Sequence, residues 1–194
     1  MGIWSKICLQ YILSVNVKIL GEENIIKNEK FFIACSHQSA FETYYLQTIY
    51  ENPIFVLKKE LTKIPLFGWY LKKVGSIVID RNKYTKDNLS FFENIQENYR
   101  KNLNPVIIFP QGTRVSNSYR EPFKKGVFKI YDTLKIKCQP VAINSGTVWP
   151  KDGELGKNRT LYVSILKPID PGLDTENFMA NLQNSIYSEL DKLN

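Results

Sequence analysis

Phe31-Phe32-Ile33-Ala34-Cys35-Ser36-His37-Gln38-Ser39-Ala40-Phe41-Glu42 is the stretch on which the fold of this chain turns. Phe31 to Cys35 is an unbroken apolar run of strand length and reads as a short buried strand. Ser39 to Tyr50 reads as a helix, so His37 sits at the carboxyl end of a strand. In open α/β sheets that end faces the ligand crevice. His37 is the only histidine in 194 residues, and only histidine has an unperturbed pKa close to neutrality, which makes it a candidate general base. Two plainer readings compete with this one. Ser39-x-x-Glu42 fits a capping box, with Glu42 bonding back to the Ser39 amide, and a lone histidine can be a hydrogen-bonded structural residue.

Outward from this stretch, strand and helix signals alternate. Val15 to Leu20 alternates as a strand and ends at Gly21. Ile54 to Leu57 follows Pro53 as another strand. Lys58 to Lys73 interleaves lysines with Phe67, Trp69 and Tyr70, with Pro65 in the first turn of a short helix and Gly75 as its cap. That segment suits a membrane interface or a nucleic-acid surface, and equally an ordinary half-buried helix. Ile77 to Ile79 is a strand leading to Asp80-Arg81. A polar helix from about Lys86 to Lys101 precedes the strand Pro105 to Phe109. A helix over 126–134, strands at 138–143 and 160–166, and an amphipathic helix from about Asp174 to Leu193 complete the chain. The alternation predicts an α/β fold, a single domain whose mostly parallel central sheet is flanked by helices.

The composition, 43% apolar and 13% aromatic, supports a packed core. A net charge of +7 favours anionic partners: nucleic acid, an acidic membrane surface or phosphorylated substrates. Three cysteines without C-x-x-C spacing imply a reducing compartment, with no disulfide framework and no zinc site. No run approaches the roughly 20 apolar residues that span a bilayer. Residues 1–14 carry a single charge, Lys6, and place Ile3, Trp4, Ile7, Cys8, Tyr11 and Ile12 at helical spacing. They predict a short amphipathic helix that packs on the core or lies in a membrane interface. The basic residues are spread along the chain and no nucleic-acid motif is present.

Three polar constellations each follow an apolar strand: His37…Glu42, Asp80-Arg81 and Gln111-Gly112-Thr113-Arg114. If they meet in one crevice, a base stands beside two arginines whose planar forks suit phosphate oxygens. Gly112 allows close backbone approach and Thr113 adds a hydroxyl donor. A base plus a phosphate clamp points to activation of a hydroxyl on a phosphorylated acceptor.

Four blocks in order, Ser36 to Glu42, Gly75 to Arg81, Phe109 to Arg114 and Gln139 to Gly146, resemble the four motifs of the glycerolipid acyltransferases, especially the bacterial 1-acylglycerol-3-phosphate acyltransferases. Lys59-Glu60-Leu61 and Pro65 to Tyr70 are similar to that family too, and the resemblance covers roughly residues 15–150. It implies a glycerol-3-phosphate acyltransferase-like αβα domain over 15–194. The implied reaction moves a fatty acyl group from acyl-CoA or acyl carrier protein to lysophosphatidic acid, giving phosphatidic acid, with no cofactor and no metal. It implies His37 as base with its partner acid at Glu42. It implies Arg81 and Gly112, Thr113 and Arg114 on the acceptor phosphate, with Gln111 in the same substrate-binding block. Members work at a membrane surface, so the expected place is the cytoplasmic face of an anionic membrane, peripherally bound. Two positions depart from the pattern: Glu42 stands where the first motif usually has Asp, and Gln111 where the third has Glu. Gln111 keeps hydrogen bonding and loses a negative charge. The remaining alternatives are another lysolipid acceptor, or a non-catalytic basic protein that binds lipid or nucleic acid.

Overall fold

All five residues of the strand Phe31–Cys35 are buried because helices cover both faces of the sheet it belongs to. Its alternate side chains serve two cores. Phe31, Ile33 and Cys35 enter one cluster, while Phe32 and Ala34 enter the other. The computed structural model describes residues 7, 10, 11, 13–65, 68, 69, 73, 75–79, 93–97, 99, 104–116 and 118–193. Among the described residues seven strands are present: Asn16–Leu20 (β1), Phe31–Cys35 (β2), Ile54–Lys58 (β3), Ile77–Ile79 (β4), Val106–Ile108 (β5), Lys137–Ile143 (β6) and Thr160–Ile165 (β7). The main helices are Phe41–Ile49 (α1), Gly126–Leu134 (α2) and Thr175–Leu193 (α3).

The strands form one sheet in the order β1-β7-β6-β2-β5-β3-β4. Strands β2 to β6 run parallel, with Ile33 in register with Ile107 on one side and Gln139 on the other. The connection from β6 to β7 contains only the short helical turn Ser145–Thr147, and the two strands pair antiparallel. β1 pairs parallel to β7, so this edge runs against the rest.

The two crossovers next to β2 lie on opposite faces. α1 buries Phe41, Tyr45 and Leu46 against the first cluster. α2 buries Val127, Ile130 and Tyr131 in the second, together with Phe178, Leu182, Ile186 and Leu190 of α3. Each such side chain stabilises the fold by roughly 1.5–3 kcal/mol through burial. Since β5 and β6 flank β2 and are joined through α2, the loops after β5, β2 and β6 emerge side by side at one edge. That is the switch point of a doubly wound sheet.

Several expectations shift at their boundaries. The first helix begins at Phe41 rather than Ser39, and the strand expected to reach Phe109 ends at Ile108. Residues 59–63 form a tight helical turn; Gly68, Trp69 and Lys73 are helical after it. Gly75 has a φ of 71°, as its expected capping role requires. Of the helix expected over 86–101, residues 93–97 and 99 are helical and the remainder lies outside the described residues. In the N-terminal segment, residues 7, 10, 11 and 13 are helical.

Candidate active site

β2 ends at Cys35, and two bonds anchor the turn that follows it to β6. The Ser36 amide donates to the Val141 carbonyl (3.0 Å), and its hydroxyl accepts from the Ile143 amide (2.8 Å). His37 comes next, and the loop after β5 holds its backbone at both ends. Its amide donates to Gln111 Oε1 (2.7 Å), and its carbonyl accepts from the Val115 amide (2.9 Å). The imidazole stacks on the Phe109 ring, with centroids 4.0 Å apart and planes 17° from parallel. The residue is partly exposed, and Nδ1 points inward, 3.6 Å from Glu42 Oε2. That nitrogen is buried and makes no hydrogen bond among the described residues.

Glu42 is fully buried near the start of α1. Oε1 accepts from the amides of Gln38 (2.9 Å) and Ser39 (3.1 Å) and from the Ser145 hydroxyl; Oε2 also faces the Ser39 amide (3.1 Å). The Ser39 hydroxyl in turn accepts from the Phe41 amide (2.8 Å). Glu42 thus bonds back to the Ser39 amide as expected, but the Ser39 hydroxyl takes the Phe41 amide instead of that of Glu42, so the exchange is half of a capping box; the helix dipole adds to the stabilisation of the carboxylate. These donors replace the water that burial removes. Glu42 therefore serves the helix start and the histidine together: Oε1 takes the donors of the helix start and the β6 loop, and Oε2, besides the Ser39 amide, looks toward the imidazole.

Gln111 is buried, and besides holding His37 its amide hydrogen-bonds the Tyr187 hydroxyl on α3. The Tyr187 hydroxyl donates to the Glu121 carbonyl. Gln111 is thus engaged with the protein on its His37 side. Gly112 takes the left-handed φ of 79° that the turn requires. Its amide is engaged by the Phe109 carbonyl (2.9 Å), which makes it no free oxyanion donor. Thr113 and Arg114 are exposed and line a cavity of about 700 Å³ together with Gln38. Among the described residues Arg114 has no ion-pair partner. Arg81 lies outside the described residues; β4, which precedes it, is three strands from β2, about 14 Å at normal strand spacing. Among the described residues no group of acidic, cysteine or histidine side chains could hold a metal ion.

Sequence reasoning missed four positions. Ser145 reaches Glu42 from the β6 loop, Gln38 Oε1 accepts from the Gly146 amide (3.0 Å), Phe109 supports the imidazole, and Tyr187 backs Gln111. The block Gln139 to Gly146 signalled the first of these by its position after a strand. Nothing local to Tyr187 distinguishes it from any other buried helix residue.

Cys35 lies two residues before His37 but is fully buried in the core, and its thiol donates to the Ser36 carbonyl (3.1 Å). Burial first, and the Glu42 charge second, push its pKa well above the ordinary thiol value.

Fold and site define an α/β protein with a histidine–carboxylate pair at the switch point of its sheet. The chain belongs to the acyltransferase family, whose model matches residues 16–144. It is 34% identical to a 1-acyl-sn-glycerol-3-phosphate acyltransferase of Saccharomyces cerevisiae over 83% of this chain and 54% of that protein. A protein of the same name from Pseudomonas aeruginosa is 32% identical, over 79% of this chain and 59% of its own length. One from Helicobacter pylori is 31% identical, over 94% and 76%. The chain thus spans little more than half the length of the first two. The crystal structure of the 1-acyl-sn-glycerophosphate acyltransferase of Thermotoga maritima shares the fold, with a TM-score of 0.81 and 22% identity over 99% of this chain and 77% of that one.

Proposed function

We propose that this protein transfers a fatty acyl group from a thioester donor to the free hydroxyl of 1-acylglycerol 3-phosphate, giving phosphatidic acid. The observation that carries the reading is the His37–Glu42 pair: a partly exposed imidazole with its inner nitrogen 3.6 Å from a fully buried carboxylate. In this reading Nε2 of His37 takes the proton of the acceptor hydroxyl as its oxygen attacks the thioester carbonyl. Glu42 orients the ring and stabilises the imidazolium that forms, the role of the acid in triad logic. The tetrahedral intermediate collapses with cleavage of the C–S bond, and His37 returns the proton to the departing thiolate. The 3.6 Å separation is longer than a hydrogen bond. Catalytic contacts are commonly loose before substrate arrives and tighten in the complex. Arg114, exposed at the same edge, is the phosphate ligand among the described residues, with Arg81 assigned by motif alone. Holding the phosphate positions the hydroxyl, which itself contributes to rate.

The names of the relatives support the acceptor, and the residues at the site support general-base chemistry. The protein is placed peripherally on the cytoplasmic face of an anionic membrane. The net charge of +7 supports this, as do the exposed apolar residues Ile7, Tyr11, Ile64 and Trp69. No helix among the described residues is long and apolar enough to cross a membrane. The test is thin-layer chromatography after incubating labelled acyl-CoA, lysophosphatidic acid and protein. Labelled phosphatidic acid is expected. Label appearing only with a different lysolipid would change the acceptor, and no labelled product with any acceptor would leave a binding protein.

A further inference from the structure

The cavity that contains Arg114 holds two further cations from a different segment of the chain. Its lining comes from the segment after β5 and from the connection between β6 and β7, with Gln38. The second segment contributes Lys151 and Arg159, both exposed. Among the described residues neither forms an ion pair. Two acids share the walls: Glu121 is engaged by Lys124 at 2.9 Å, which leaves Asp152 facing three cations. Arg159 is also closely packed. A Cβ at Gly156 would stand 2.4 Å from the Thr147 carbonyl oxygen and 3.2 Å from Arg159 Cδ. Only glycine allows the chain to pass that closely beneath the arginine stem. Tyr119 shares this cavity and is 56% exposed, an aromatic face on which a planar base can stack.

Resting on the acyltransferase reading above, we propose that Lys151 and Arg159 form a second anion subsite, separate from Arg114, that holds the phosphate end of the thioester donor. The acceptor brings a single phosphate, and a guanidinium fork at Arg114 matches one phosphate monoester. The other substrate carries its acyl group on phosphopantetheine, whose phosphate is common to coenzyme A and to acyl carrier protein. Two unpaired cations across the same cavity match that second anion.

The experiment is titration calorimetry of the full chain with coenzyme A, 4′-phosphopantetheine and pantetheine, on wild-type protein and on the Lys151→Gln/Arg159→Gln variant. Both side chains are exposed, so the substitutions remove no core packing. Wild-type protein should bind the two phosphorylated probes more tightly than pantetheine. The double variant should lose roughly tenfold or more of its coenzyme A affinity, the usual scale for a lost charged hydrogen bond. Its pantetheine affinity should stay unchanged, and its KM for lysophosphatidic acid should stay within about twofold. Equal affinity of wild type for coenzyme A and 4′-phosphopantetheine would place the shared phosphate in the subsite. A preference for coenzyme A that Tyr119→Ala abolishes would add its nucleotide. Unchanged coenzyme A affinity in the double variant, or a defect confined to lysophosphatidic acid, would overturn the proposal. Loss of coenzyme A binding from a protein that turns over no acceptor would overturn the acyltransferase reading and leave this subsite standing.

Discussion

At the scale of single residues, Glu42 is asked to do more than orient a histidine. It accepts from the Ser39 amide just before α1, holds Gln38, receives the Ser145 hydroxyl and faces His37 Nδ1. His37→Ala should abolish turnover and leave the circular dichroism spectrum unchanged, since the ring is partly exposed. Retained turnover would remove His37 as the base. Glu42→Gln should lower both kcat and stability, because an uncharged amide accepts more weakly from Gln38, Ser39 and Ser145 and turns an N–H toward the Ser39 amide where Oε2 stood. A buried donor left unsatisfied costs about 1–3 kcal/mol. Urea unfolding measures that loss, and a purely kinetic effect would limit Glu42 to orienting the ring. Cys35 defines the contrasting case. Its raised pKa means that at pH 7–8 the thiolate is even scarcer than in an ordinary cysteine. Folded protein should resist iodoacetamide at Cys35 and react in urea, Cys35→Ser should keep most activity, and intact-mass analysis with acyl-CoA should show no adduct. A stoichiometric acyl adduct discharged at the turnover rate would replace direct transfer with a covalent route.

At the scale of elements, the site depends on how three strand ends are tied to one another and to α3. The loop after β5 grips His37 by its amide and carbonyl. α3 then grips that loop: Gln183 Oε1 accepts from the Phe123 amide (3.1 Å), Tyr187 donates to the Glu121 carbonyl, and Asp191 pairs with Arg120. Gln111 joins both connections, and this gives a physical reason for glutamine at a position where the motif usually has glutamate. Its oxygen accepts from His37, and its amide serves a tyrosine oxygen whose own proton is already committed to Glu121. A carboxylate cannot donate there. Gln111→Glu should therefore lower the unfolding free energy by about 1–3 kcal/mol, read from the urea midpoint. Unchanged stability would show that the donor at this position contributes nothing.

At the scale of the whole molecule, a net charge of +7 and exposed apolar residues at 7, 11, 64 and 69 favour binding to an anionic bilayer. Binding to anionic vesicles in sedimentation should weaken steadily as salt rises from about 0.05 to 0.5 M, as screening shortens the reach of surface charge. Equal binding to neutral vesicles would dismiss the electrostatic part. The same scale separates what was legible in the chain from what was not. Residues 31–35 are apolar without alternation because both sheet faces are covered, so a doubly covered, mostly parallel sheet could be read from local pattern alone. His37 after β2 and Arg114 after β5 followed from the same reading, since each motif directly follows a strand. The reversed edge of β1 and β7 did not, because strand direction depends on pairing and leaves no mark on periodicity. Nor did the supports of the site. Gln111 meets His37 across 74 positions and Ser145 meets Glu42 across 103. Local sequence determines which face a side chain takes, while only the packed sheet determines which distant polar group waits there to satisfy it.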